Sequence, residues 1–185
     1  MPITYLDEVQ AAAGEVLVAV PADALGNPTP CEEWDLAALI DHLVDAQWMF
    51  VGFATGESPR ERDARPSSGD FVAAYDAGAA AIRDLVGVEG FEQQTLQLPF
   101  GPFTGAQLID FVCLETLTHA WDVAMATSQS TDLAPEPARH VLAVATQMMG
   151  GSSREGNENF GASRPPAEDA AHADRLAAYL GRSVP

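Results

Sequence analysis

Residues 104–125 read TGAQLIDFVCLETLTHAWDVAM, and the fold follows from how this stretch is read. Thr104 suits an N-cap, because a side-chain oxygen there accepts one of the N–H groups that a helix start leaves unpaired. From Leu108 to Met125 the sequence is then apolar nearly all round. A helix without a polar face has no side to offer water, so this one is expected to be central and buried.

Helical periodicity also dominates on both sides of it. Residues 3–20 place Ile3, Leu6, Val9, Ala13, Val16, Leu17 and Val20 at helical spacing, and Pro21 ends the run. After the breaker-rich loop at 28–34, Asp35 suits the N-cap of a second helix. Its apolar stripe is Leu36, Leu39, Ile40, Leu43, Phe50 and Val51, interrupted by Gln47, and it should stop near Gly56. Residues 57–69 read as a polar, exposed loop. A third helix follows Asp70, with Phe71, Tyr75, Ile82, Leu85 and Val86 on one side. Over 93–103 the helical period is lost; Leu96, Leu98 and Phe100 alternate with polar or breaker residues, so this piece is expected to run extended until Gly101-Pro102 turns it. Further helices are expected over 137–149 and 171–180, with an irregular excursion over 150–166. No repeat and no domain boundary is visible. The expectation is one all-α domain over 1–185, a four-helix bundle with short peripheral helices.

At 185 residues, 47% hydrophobic and 19% charged, the chain can bury a sizeable core without disulfides. Against 27 Asp+Glu stand 9 Lys+Arg, all of them arginine, for a formal net charge of -18. Such a chain repels phosphate backbones and anionic lipid, so neither nucleic-acid nor membrane-surface binding is expected. Met1 to Val20 has acidic residues and no positive start, unlike a signal peptide. No apolar run approaches a membrane span on this reading. Cys31 and Cys113 are too few for a disulfide framework and fit reduced thiols in a cytoplasmic protein.

Chemistry concentrates on the fourth helix. At 100° per residue Leu108, Phe111, Val112, Glu115 and His119 share one face, and Glu115 and His119 lie one turn apart. A carboxylate and an imidazole on a buried apolar face need a partner, and a divalent cation satisfies both. His42, mid-helix at the margin of the second helix's stripe, is the best third ligand. Two imidazoles and one carboxylate leave coordination positions open, the pattern of a reactive site. A bare Glu/His pair at this spacing also arises by chance, so a purely structural bundle remains an alternative. Asp41, Asp45 and Asp122 read as solvated or capping residues, with Asp122 or Asp45 as alternatives for orienting an imidazole. His140 and His172 read as surface residues, and Cys113 as inert packing facing away from Glu115. Cys31 is accessible in its loop, with no base identifiable beside it.

The stretch Thr29-Pro30-Cys31-Glu32-Glu33-Trp34-Asp35, running into Leu39-Ile40-Asp41-His42-Leu43-Val44, resembles the opening of the mycothiol-dependent maleylpyruvate isomerase N-terminal domain, within the DinB-like superfamily. Glu115-Thr116-Leu117-Thr118-His119-Ala120-Trp121-Asp122-Val123-Ala124 is similar to that family's second metal-binding motif. The tail Asp174 to Arg182 resembles the ending of a short actinobacterial subgroup. The resemblance implies a DinB-like four-helix bundle whose divalent metal, often zinc, is held by His42, Glu115 and His119; the mixed N/O ligands themselves would accept zinc, nickel, iron or manganese. It also implies mycothiol as a cosubstrate, bound as the thiolate and used in an isomerisation or an S-transfer on a small electrophile. By analogy a homodimer is expected. Isomerases of this family carry a further C-terminal domain, which this sequence does not show. The expectation is therefore a related transferase or isomerase, or alternatively a non-catalytic metal or small-molecule binding bundle.

Overall fold

The protein is described by a computed structural model over residues 3–57, 65–99, 101–149 and 161–184. Among these residues the helices are α1 (Ile3–Val18), α2 (Leu36–Thr55), α3 (Phe71–Val86), α4 (Gly105–Ala126), α5 (Pro135–Met148) and α6 (His172–Tyr179), and a hairpin, β1 (Thr95–Leu98) with β2 (Gly101–Thr104), precedes α4. The all-α expectation holds among the described residues. α1 packs on α3 and α4, and α2 packs on the same two, which closes a ring of four; α5 and α6 lie against each other and against α4.

Each boundary has a local cause. The Asp35 carboxylate accepts the Ala38 N–H at 2.9 Å and starts α2, and Asp70 does the same for α3 through Ala73. Before α4, Thr104 accepts the Gln107 N–H while the Gln107 side chain accepts the Thr104 N–H, a reciprocal capping box. Thr104 is at the same time the last residue of β2. In the hairpin Leu98 pairs with Gly101 and Thr95 with Thr104. The chain therefore reverses between Leu98 and Gly101, and Gly101-Pro102 opens the returning strand instead of making the turn. Gly101 sits at φ +124°, where a side chain would be strained.

The 57–69 loop is less exposed than expected in its described part. Pro66–Ser68 forms a turn of 3₁₀ helix with Pro66 buried, and Asp41 accepts the Ser67 N–H at 2.7 Å. Asp41 is thus a capping partner, and Asp45 is exposed. In the 150–166 excursion, residues 150–160 lie outside the described ones, and 161–166 form neither helix nor strand.

α4 is the central helix: fifteen of its residues are buried, among them Leu108, Ile109, Val112, Leu117, Trp121 and Val123. The polar interruption of the α2 stripe is also explained. Gln47, fully buried, donates to Thr116 of α4 at 3.0 Å and receives the Gln10 side-chain amide of α1 at 3.4 Å. Arg83 of α3 donates to the same Gln10 at 2.7 Å. One connected polar chain therefore ties all four bundle helices, and each buried group in it has a partner, as the low dielectric demands. By length and composition α2 is apolar enough to cross a membrane, contrary to the expectation from the sequence. Here its apolar stripe, from Leu36 through Ile40 and Leu43 to Phe50, is buried in the bundle instead.

Candidate metal centre

Two helices and one loop converge on Glu115. His42 from α2 places Nε2 at 2.6 Å from Glu115 Oε1, and His119, one turn along α4, places Nε2 at 3.2 Å from the same oxygen. One ligand atom from each of these three residues lies within 4.8 Å of the other two. The imidazoles meet edge to face, with ring centroids 4.7 Å apart. Side-chain exposures of 31% for His42, 20% for Glu115 and 10% for His119 describe a site that is mostly enclosed but reachable from His42's side.

The charge states follow from the partners. Burial opposes ionisation of Glu115, but hydrogen bonds from His119 and His42 and their charges outweigh it and hold its carboxyl below the usual carboxylate range. His119 is likewise disfavoured as a cation by burial. Asp122 at Nδ1, Cys31 and Glu115 at Nε2 overcome that penalty and raise it well above its ordinary value. An imidazole with a carboxylate at each nitrogen is an imidazolium unless something other than a proton takes one of those nitrogens.

Asp122 is where the reading of the sequence as solvated or capping fails and its orienting alternative holds. It is fully buried, one turn beyond His119, and receives His119 Nδ1 at 3.1 Å, Cys31 Sγ at 3.3 Å and two bonds from Arg182, Nη2 at 2.8 Å and Nε at 3.2 Å. Burial raises its carboxyl, but the bonds and charges of His119 and Arg182 bring it below the ordinary value. Cys31, for which the sequence offered no neighbouring base, is therefore beside an imidazole and a carboxylate. Arg182 was read from the sequence only as the end of a tail resembling a family subgroup, not as a site residue; its position 60 residues beyond Asp122 carries no local signal of this contact.

The loop before α2 is shaped to deliver two of these groups. Thr29 Oγ1 lies 2.8 Å from the Trp34 carbonyl and 3.0 Å from that of Cys31, and accepts the Cys31 N–H at 3.1 Å. Pro28 pairs with Asp35, and Asn27 donates to the last carbonyl of α4, that of Ala126, at 3.0 Å. So held, Trp34 covers the imidazoles, its centroid 4.5 Å from His42 and 5.9 Å from His119. One turn before Glu115, half-buried Phe111 leads an aromatic cluster with Phe50 and Phe103, an apolar flank on the same helix face.

The remaining candidates lie elsewhere. Cys113 is buried, and burial together with Asp110 pushes its thiol far up, which makes it inert. His140 and His172 are half-buried and not surface residues; His140 Nε2 lies 3.5 Å from Asp110, and its ring meets Tyr5 edge-on.

A helical bundle with a His/Glu/His cluster between two of its helices defines a class of proteins, and the comparisons narrow it. The profile of the mycothiol maleylpyruvate isomerase N-terminal domain matches residues 6–124. An uncharacterised protein of Mycobacterium tuberculosis, in strains CDC 1551 and H37Rv, is 39% identical over 183 residues, which is 99% of this chain and 98% of its own length. The chain belongs to the mycothiol maleylpyruvate isomerase N-terminal domain family. No solved structure matches it significantly.

Proposed function

We propose that the protein binds one divalent cation through His42 Nε2, Glu115 Oε1 and His119 Nε2 and uses it, with a small-molecule thiol such as mycothiol, in an isomerisation or S-transfer on a small electrophile. The observation that carries this reading is the convergence of three donors of the right chemistry on one point, two imidazoles and a carboxylate held anionic. The donor set accepts zinc, nickel, iron or manganese, and zinc is the ion that the family resemblance puts first. A cation held there supplies Lewis acidity that makes a coordinating thiol a thiolate at neutral pH.

The chain's own residues do the rest. Glu115 contributes the negative charge, and His42 and His119 approach it from different helices. Asp122 keeps the Nδ1 proton of His119 and so turns Nε2 toward Glu115. Trp34 shields the imidazoles from water on one side. The Phe111 cluster offers an apolar wall to a small electrophile.

Metal analysis of protein purified without a metal-affinity tag tests the first half. Wild type is expected to hold close to one equivalent, and His42→Ala and His119→Ala only a small fraction of that. A wild type with negligible transition metal would leave only a structural bundle. For the second half, mycothiol should perturb the visible spectrum of the Co(II)-substituted protein; a metal-loaded protein whose spectrum ignores the thiol is a binding module instead.

A further inference from the structure

Behind His119 lies a second set of polar groups. Asp122 lies at zero exposure, and three of its four hydrogen bonds come from residues distant in sequence: one from Cys31 and two from Arg182. An ionised carboxylate out of water must be matched by charge and by donors at each oxygen. Arg182 supplies both in the bidentate form to which a guanidinium is suited, with Nε on Oδ1 and Nη2 on Oδ2.

The tail is built to place that guanidinium. After α6 the Gly181 N–H bonds to the Ala178 carbonyl and the Arg182 N–H to that of Ala177, the pair of bonds of a Schellman ending. Gly181 adopts φ +97°, and a Cβ there would sit 2.7 Å from Gly161 Cα, so only glycine turns the chain back at this point. The other end of α6 is pinned as well, by Trp121 Nε1 donating to Asp174 at 2.8 Å. Consecutive residues of α4, Trp121 and Asp122, thus clasp both ends of α6.

We propose that Arg182 is a positioning residue of the metal centre: by fixing Asp122 it locks the His119 ring with Nδ1–H on Asp122 and Nε2 free for the ion, and its charge keeps a second cation out. This rests on the metal reading above. Cys31 Sγ, His119 Nδ1 and an Asp122 oxygen are themselves three donors within 4.8 Å of one another. Arg182 Nη2, at 2.8 Å from Asp122 Oδ2 and 3.7 Å from Cys31 Sγ, already provides the positive charge there. The second cluster therefore supports the first site and does not bind metal itself.

The test compares wild type, Arg182→Met, Arg182→Lys and the charge-balanced pair Asp122→Asn/Arg182→Met. Zinc affinity is read by chelator competition, stoichiometry by titration and ligand geometry by the Co(II) spectrum. Wild type should bind one equivalent. Arg182→Met should bind zinc about 10- to 100-fold more weakly, with an altered Co(II) spectrum. Arg182→Lys should recover part of the loss. The double variant, which buries no unpaired charge and so keeps its fold, should show the same weakening if the single one does not fold. A wild type that binds no metal sinks the metal reading. A wild type that binds, beside a folded Arg182→Met or double variant with affinity within twofold of it, sinks the role of Arg182 alone. A second equivalent taken up by wild type sinks the exclusion of a second cation by Arg182.

Discussion

His119 has a carboxylate against each ring nitrogen, Glu115 Oε1 at 3.2 Å and Asp122 Oδ2 at 3.1 Å. The ring can keep only one of those contacts through a proton once an ion takes Nε2. Metal uptake must then expel the other proton, and affinity for zinc should tighten as pH rises from about 5.5 toward 8, with proton release on binding. A pH-independent dissociation constant over that range would falsify the assignment of Nε2 to the ion. The metal-free protein should follow the opposite sign on the alkaline side. The raised His119 value means that its stabilisation is complete below its ordinary value of 6.5 and is lost as pH climbs through the raised one. For Glu115, held below 4.5, the contribution is complete above that value and is lost as acid protonates it. Thermal melting of metal-free protein should therefore peak between these two values, and added zinc should move the peak to higher pH.

At the scale of elements, α2 and α3 are in tight contact at Gly78. A Cβ built there would lie 2.8 Å from Gln47 Cβ and 3.2 Å from Trp48 Nε1. In an exposed helix Gly→Ala would stabilise by about 1 kcal/mol. Gln47 cannot give way, because it is held by Gln10 and Thr116 in the chain that links the four helices. Overpacking against such a fixed neighbour costs up to about 3 kcal/mol, so the steric effect wins. Gly78→Ala should lower the melting temperature by about 4–8 °C, a net loss near 2 kcal/mol. An unchanged or raised melting temperature would show that α3 can slide away from α2, contrary to the packing described.

For the whole molecule, charge is the dominant global property. A formal net charge of -18 on 185 residues makes the folded chain repel itself, since compaction brings the carboxylates together. The polar pairs that matter are buried and little affected by salt, whereas the surface repulsion is screened within about 10 Å at 0.1 M. Raising sodium chloride from about 10 to 300 mM should raise the melting temperature of the metal-free protein. A fall would mean that exposed ion pairs such as Arg139 with Glu136 carry more stability than the repulsion removes.

Much of this was legible in the sequence because it depends on near neighbours along the chain. Apolar spacing set the helices and made α4 central, Asp35, Asp70 and Thr104 marked three starts, and the turn between Glu115 and His119 put both on one face. The hairpin was half legible: alternation revealed extended chain, but the reversal fell before Gly101 because strand register, not local breaker content, decided it. Other features needed the fold. Whether Gln47 is a defect or a link depends on Gln10 and Thr116, which packing brings to it. Asp122 looks like any helical carboxylate until Cys31 from one loop and Arg182 from the tail reach it, 91 and 60 residues away in sequence. Spacing along a helix is fixed by backbone geometry and can be counted in advance, whereas the partner of a buried charge is chosen by which segments pack together, and only the tertiary structure decides that.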